Sequence, residues 1–162
     1  MKDPRRYQPH VIYLDRIILP IAEELGRLDD TEYVLNLVKT GLKAVSSCLP
    51  FAQAVQFFNA LPIPLQALMV EEWKVDHYLP ERFTSLNELL QEIVDCEPSL
   101  FNEKEGNQQA LDLLMAMIGV SSNHITAEAL HQLLEVFPQE LNERLAAYSV
   151  LNNRSSLNEC IN

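Results

Sequence analysis

Apolar residues recur at intervals of three and four along most of the chain, which is the spacing of one face of an α-helix. The clearest run follows Asp29 and Asp30, whose carboxylates suit a helix start, and ends at Leu49-Pro50. Its inward positions are Val34, Leu37, Val38, Leu42 and Val45. Because alternation by two is hard to find, the pattern predicts an all-α protein.

The same apolar spacing returns 76 residues later, at Ala110, Leu113, Leu114 and Ile118, with Met117 beside them. This second run follows Asn107, a suitable cap, and is expected to stop at Gly119 because a residue without a Cβ suits a left-handed helix end. The offset also relates Leu14, Ile17 and Ile18 to Leu90, Ile93 and Val94, and Pro62 to Pro138. An internal duplication accounts for these matches.

The sequence therefore predicts two tandem copies of a four-helix unit of roughly 75 residues, packed as one compact helical bundle with a pseudo-two-fold axis. Helices are expected over 10–25, 31–48, 51–60 and 64–75, and again over 86–97, 107–118, 127–136 and 139–151. The predicted divisions are an N-terminal arm 1–9, a first repeat 10–75, a join 76–84, a second repeat 85–152 and a flexible tail 153–162.

Local signals refine some of these bounds. Pro20 lies inside the first helix pattern and predicts a kink or a break, since proline lacks an amide hydrogen. Pro98 is expected to end the fifth helix at about Glu97. Ser85 starts that helix as an N-cap, and Thr126 is the expected cap of the seventh.

Residues 11–148 resemble a bacterial family known as domain of unknown function 2267. The resemblance rests on the apolar helix that follows Ser85, on the helix ends Leu61-Pro62 and Phe137-Pro138, and on the run from Leu68 to Trp73. It implies tandem helical repeats and supplies no catalytic residue. Pro20 and the Pro62-Ile63-Pro64 triplet depart from the pattern.

Charge narrows the range of partners. The chain carries 23 acidic and 12 basic side chains, a formal charge of -11, which disfavours nucleic acid and anionic lipid surfaces. The start of the chain lacks a signal-peptide pattern, and no apolar stretch reaches the length of a membrane span. Three widely spaced cysteines suggest reduced thiols. We therefore expect a cytoplasmic protein.

Candidate chemistry is sparse. Glu128 and His131 stand three apart on one helix, as in di-iron bundles, but such sites need two of these motifs. His77 lies beside Asp76 without a matching nucleophile. The sequence therefore predicts no catalytic residue, no metal ligand and no cofactor.

Aromatic and aliphatic side chains gather around the join, at Trp73, Tyr78, Leu79 and Phe83. They either seal the contact between the two repeats or form an exposed surface that recruits another protein or a second copy of this chain. The second interpretation makes these four residues the candidate interaction surface.

The favoured function is accordingly a non-enzymatic protein-interaction module. The alternative is a small-molecule or lipid-binding helical protein whose apolar cavity would be lined by Phe51, Phe57, Phe58, Met69 and Met115. An enzyme is the least favoured interpretation.

Overall fold

Of the 162 residues, the computed structural model describes 8–72, 83 and 85–147. The predicted all-α class is confirmed, because these residues form helices joined by turns and contain no strand. The helices are α1 (Gln8–Glu24), α2 (Thr31–Ser47), α3 (Phe51–Ala60), α4 (Ile63–Glu72), α5 (Leu86–Cys96), α6 (Gly106–Ser122), α7 (Ala127–Val136) and α8 (139–147). A 3-10 turn, Pro98–Leu100, separates α5 from α6.

The first helix runs through Pro20 without a break, so the predicted break is not found, and the alternative of a kink stays a prediction. Burial of the isoleucines on either side of Pro20 offsets the roughly 3 kcal/mol that an internal proline costs. Two residues after the helix ends at Glu24, Gly26 has a φ of 65°, which places it in the left-handed region. There the Arg27 amide donates to the Ala22 carbonyl at 2.7 Å, which closes the last turn.

Short polar side chains cap several helices. The Asp30 carboxylate, rather than that of Asp29, accepts from the Tyr33 amide and caps α2. Ser85 caps α5 and Thr126 caps α7, as predicted from the sequence. The polar residues at these three turns therefore fix where the helices begin.

Both predicted ends of α6 are wrong. The N-cap is Glu105 instead of Asn107, and the helix continues beyond Gly119 to Ser122. Glycine inside a helix costs about 1 kcal/mol relative to alanine. Burial of Val120 and Ser121 in the following turn accompanies the extension, and burying a valine side chain contributes roughly 1.5 to 3 kcal/mol. Packing therefore decides where α6 ends.

Helix bounds and local bonds recur at one interval. The helices α3 and α7 begin and end 76 residues apart, and α4 and α8 also begin 76 residues apart. The Gln66 side chain donates from Nε2 to the Phe58 carbonyl at 3.0 Å. The Asn142 side chain donates from Nδ2 to the Leu134 carbonyl at 3.1 Å. Each bond ties one helix to the end of the helix before it.

Helices from the two halves of the sequence interleave around one hydrophobic core. The helix α1 packs on α6, α2 packs on both α5 and α6, and α3 packs along α7. At the crossing of α2 and α6, a Cβ added to Gly41 would lie 3.3 Å from the Met117 sulfur. Between α3 and α7, Gln56 Nε2 donates to the Gln132 carbonyl at 3.0 Å. Each of these two contacts joins residues 76 positions apart.

Candidate functional site

The helix α4 follows α3 after a single sharp turn. The Pro62 carbonyl accepts from the amides of Leu65 and Gln66, both at 3.0 Å, and so closes the first turn of α4. Proline is tolerated at this end of a helix because the first amides have no partner within the helix. The triplet around Ile63 is therefore compatible with the helix, which begins at that residue.

Apolar side chains cover more than the inner face of α4. Leu65, Leu68 and Met69 are buried in the core. On the outside, Ile63 is 80% exposed, Val70 is 58% exposed, and Ala67 between them is also exposed. Positions 63, 67 and 70 follow the four-and-three spacing of one helical face, so the three residues form one apolar stripe, the α4 surface.

The corresponding face of α8 is chemically different. The residues 76 positions after Ile63, Ala67 and Val70 are Gln139, Glu143 and Ala146, all exposed. On the inner side the two helices agree, because Leu65 and Leu141 are both fully buried. The described core therefore covers the inner face of each helix and leaves the outer face of each exposed.

The other exposed apolar residues also have no large hydrophobic counterpart 76 positions later. Within the described part of the chain, every exposed large hydrophobic side chain precedes residue 72: Leu19, Leu28, Phe51, Ile63 and Val70. The residues 76 positions later are Asp95, Lys104, Ala127, Gln139 and Ala146, none of them a large hydrophobic residue. The exposed large hydrophobic residues that the structure describes are thus concentrated in the first half of the chain.

Acidic side chains continue the α4 surface towards the join. Glu71, whose side chain is largely exposed, follows Val70 directly. Its Oε2 lies 3.9 Å from the Lys39 ammonium, which is too long for a hydrogen bond. The apolar stripe is therefore bordered at this end by a carboxylate that is only weakly neutralised.

The four residues predicted as an interaction surface are only partly described. Trp73, Tyr78 and Leu79 lie outside the described residues, so their role stays a prediction. Phe83 is 7% exposed and belongs to the hydrophobic core. Its ring therefore packs against the rest of this chain.

Sequence reasoning did not single out Ile63 and Val70. Their signal was present in the run from Ile63 to Val70, where apolar residues occupy inner and outer positions of one helix. A helix that is apolar on all sides needs a cover on each side. Half of α4 is covered by the core, and its exposed half is the candidate site.

The cavity expected for a small-molecule or lipid-binding protein is small in the described core. Phe57 and Phe137 meet edge to face, with ring centroids 5.9 Å apart. The apolar space beside them has a volume of about 10 Å³. Ligand pockets are usually about 300 Å³ or larger. Of the other predicted lining residues, Met69 is buried in the core and Phe51 is exposed.

Reactive groups are not assembled among the described side chains, which contain no cluster of three or more potential metal ligands. His124 precedes α7, which begins at Ala127. The His131 imidazole lies 3.0 Å from the Glu135 carboxylate, one turn along α7, and both side chains are exposed. Burial, followed by the charge of Glu92, raises the pKa of the Cys48 thiol to about 11, which keeps it protonated at neutral pH.

Comparisons with known proteins identify the chain's family. None of the described helices is long and apolar enough to cross a membrane. A search of curated proteins finds no match to the chain. Residues 17–144 match a family described as "Uncharacterized conserved protein (DUF2267)". Since this match spans most of the sequence and all of α2 to α7, the chain belongs to the DUF2267 family.

Proposed function

We propose that this chain is a non-enzymatic protein-interaction module that binds a helix of another protein. Its contact surface is the α4 surface, continued by the predicted residues Trp73, Tyr78 and Leu79. The observation that carries the proposal is the exposure of Ile63 and Val70 on a helix whose counterpart α8 is polar at the same positions. Exposed apolar stripes that the fold does not need are typical of docking surfaces.

The scaffold is proposed to be a tandem duplication, with repeats at 10–75 and 85–152 related by a pseudo-two-fold axis. The equal offsets of α3 from α7 and of α4 from α8 support it. The contacts of Gly41 with Met117 and of Gln56 with Gln132 support the axis, because residues on a two-fold axis meet their own counterparts. In such a scaffold one repeat keeps a polar face while the other is free to bind.

The proposed partner is an amphipathic helix with basic residues beside its apolar face. Exposed Ala67 lies between the larger Ile63 and Val70, so a side chain of the partner can pack over it. A second copy of this chain would bring another formal charge of -11, which opposes association. A cationic helix would instead be attracted to that charge and could pair with Glu71.

A peptide-binding experiment tests this proposal. A fluorescent amphipathic peptide of about 18 residues, with leucines at helical spacing and lysines beside them, is titrated with the full chain, and its anisotropy is measured. We expect saturable binding. The triple variant Ile63→Gln, Ala67→Glu, Val70→Ala, which gives α4 the outer residues of α8, should weaken binding at least about tenfold, since it removes two large apolar contacts.

The charge of the triple variant makes this test specific. Ala67→Glu adds a negative charge, so non-specific attraction of the lysine-rich peptide would increase rather than decrease. The matched control is the reverse exchange on α8, Gln139→Ile, Glu143→Ala, Ala146→Val, which should leave binding through α4 intact. Equal affinity of the wild type and the α4 variant would refute the proposal, as would an oligomer of the wild type that the α4 variant dissolves.

A further inference from the structure

A polar groove of about 270 Å³ lies between the middle of α2 and the end of α5, away from the apolar stripe of α4. Its lining residues are Asn36, Lys39, Thr40 and Lys43 from α2, and Cys96, Glu97, Ser99 and Leu100 from the segment that ends α5. The Tyr33 hydroxyl donates to the Leu100 carbonyl at 2.6 Å. This bond holds the 3-10 turn against α2 and fixes one wall of the groove.

The α2 side of the groove supplies hydrogen-bond donors and positive charge. Lys39 and Lys43 are one helical turn apart and both line the groove. Thr40 lies between them, is only 8% exposed and also lines the groove. In a chain with 12 basic side chains and a formal charge of -11, a concave site with two ammonium groups is the kind of place where an anion is best tolerated.

Packing of the bundle does not require these polar residues. The residues 76 positions after Asn36, Lys39, Thr40 and Lys43 are Asp112, Met115, Ala116 and Gly119. Ala116 is 6% exposed, close to the value for Thr40, so the same degree of burial is compatible with an apolar residue. The donors therefore belong to the groove in the first half of the chain rather than to the shared fold.

Two carboxylates, those of Glu97 and Glu71, partly offset the positive charge of the lysines in the groove. Glu97 lines the opposite side of the groove, and its Oε1 accepts from the Ser99 hydroxyl at 2.6 Å. The Lys39 ammonium is 3.9 Å from Glu71, and that distance leaves its donors available for a ligand. A ligand with an anionic group towards Lys39 and Lys43 and a hydroxyl group towards Glu97 would satisfy both sides.

We propose that this groove binds a small hydroxylated phosphate monoester, with its phosphate held by Lys39 and Lys43 and steadied by the Thr40 hydroxyl. Two ammonium groups one turn apart can neutralise a dianion, and charge-assisted hydrogen bonds are the stronger ones in proteins. The volume of about 270 Å³ suits a small metabolite rather than a nucleic acid or a lipid. The groove and the proposed helix-binding surface are lined by different residues, although Lys39 of the groove lies 3.9 Å from Glu71 at the border of the α4 surface.

Backbone NMR of the full chain tests the groove with glycerol phosphate as the probe. We expect saturable shifts of the Thr40 and Ser99 amide signals. Lys39→Met with Lys43→Met keeps the aliphatic stems and removes the charges, and it should weaken binding at least about tenfold. Lys104→Met removes one positive charge outside the groove and should bind as the wild type does.

If the double variant folds poorly, a second variant tests the groove instead. Asn36→Asp introduces the residue found 76 positions later, on an exposed part of α2, and should weaken binding by adding a carboxylate to the groove. Two results would overturn the proposal: no saturation of the wild type at millimolar glycerol phosphate, or equal binding by the wild type and a folded lysine variant. Stronger binding of free inorganic phosphate than of glycerol phosphate would also refute it, since the ester's hydroxyl groups would then contribute nothing.

Discussion

The helices α4 and α8 agree inside the protein and differ outside it. Both follow a proline, both bury a leucine at their third position, and both hold the preceding helix by a side-chain amide. On the outer face, α4 presents Ile63, Ala67 and Val70, where α8 presents Gln139, Glu143 and Ala146. The inner agreement follows from packing, whereas the outer residues of both helices are exposed, so packing among the described residues does not account for their difference.

The comparison shows that the inward and outward positions of a helix are under different constraints. An inward position must remain apolar, because exposing or removing its side chain costs several kcal/mol. An outward position can change at a cost of about 0.5 kcal/mol or less. Exposed isoleucine and valine on α4 agree with the proposed binding surface, and the comparison can be tested first at the buried positions and then at the exposed ones.

The largest effect is expected at the matched leucines. Leu65→Ala and Leu141→Ala should each lower the free energy of unfolding by about 2 to 5 kcal/mol, since both side chains are fully buried. Urea denaturation followed by circular dichroism measures the change. Ile63→Ala on the exposed face serves as the control and should change stability by less than about 0.5 kcal/mol. A loss below about 1 kcal/mol for one leucine and not the other would break the equivalence of the two interiors.

A further contrast lies after α2 and α6, where Cys48 is buried and His124, 76 positions later, is exposed. Burial raises the pKa of the Cys48 thiol from 9.0 to about 11, and Glu92 adds to the shift. Because the folded pKa is raised, this contribution to stability is present below about pH 9 and is lost as the pH rises towards about 11.

Alkylation by iodoacetamide at pH 9 measures this shift directly. About half of an ordinary thiol is ionised there, whereas only about one in a hundred Cys48 thiols should be. In a Cys96→Ala, Cys160→Ala background, labelling of folded Cys48 should be at least about 50-fold slower than in urea. Equal rates in the two states would show that Cys48 is neither buried nor shifted.

The paired amides should give smaller and similar effects. Gln66→Leu and Asn142→Leu each remove a bond to the end of the preceding helix, so each should lower the free energy of unfolding by about 0.5 to 1.5 kcal/mol. Gln91→Leu removes an exposed bond to Asp95 and should cost less than about 0.5 kcal/mol. Chemical denaturation of the three variants is the measurement. A large loss at Gln66 with none at Asn142 would contradict a shared role.

The sequence predicted the helical class and the places of most helices because polar caps and prolines coincide with breaks in the apolar pattern. The bounds of α3 and α7 match the predicted 51–60 and 127–136, and α5 ends at Cys96, just before Pro98. The predicted helix end at Gly119 and the predicted break at Pro20 were wrong, because burial of neighbouring residues outweighed the local preferences of glycine and proline. The sequence of a single helical segment does not show how that helix packs against the others.

The candidate sites were harder to predict for a different reason. The apolar pattern of α4 does not by itself say which side the core covers, so Ile63 and Val70 could be assigned to a docking surface only once their exposure was known. The polar groove joins Lys39 and Lys43 to residues more than 50 positions away, near Ser99. Such long-range juxtapositions depend on how the helices pack, whereas caps and stripes are local.

The smallest expected effect is an increase in stability when Ser121 is replaced. Ser121 is 1% exposed, and its hydroxyl has no hydrogen-bond partner among the described residues. The residue 76 positions earlier is the buried, apolar Val45. Ser121→Ala should therefore raise the free energy of unfolding by about 0.5 to 1 kcal/mol, measured by thermal and urea unfolding.

Replacement of the neighbouring residue Ser122 provides the comparison for that increase in stability. Its hydroxyl donates to the Gly119 carbonyl at 2.6 Å, so Ser122→Ala loses a bond while gaining the same helix preference as Ser121→Ala. The difference between the two variants therefore combines the relief of the unpartnered Ser121 hydroxyl with the loss of the Ser122 hydrogen bond. If Ser121→Ala proves as destabilising as Ser122→Ala, the Ser121 hydroxyl is satisfied in solution. Its polarity would then be part of the packing, and the interiors of the two halves would differ at that position as their surfaces do.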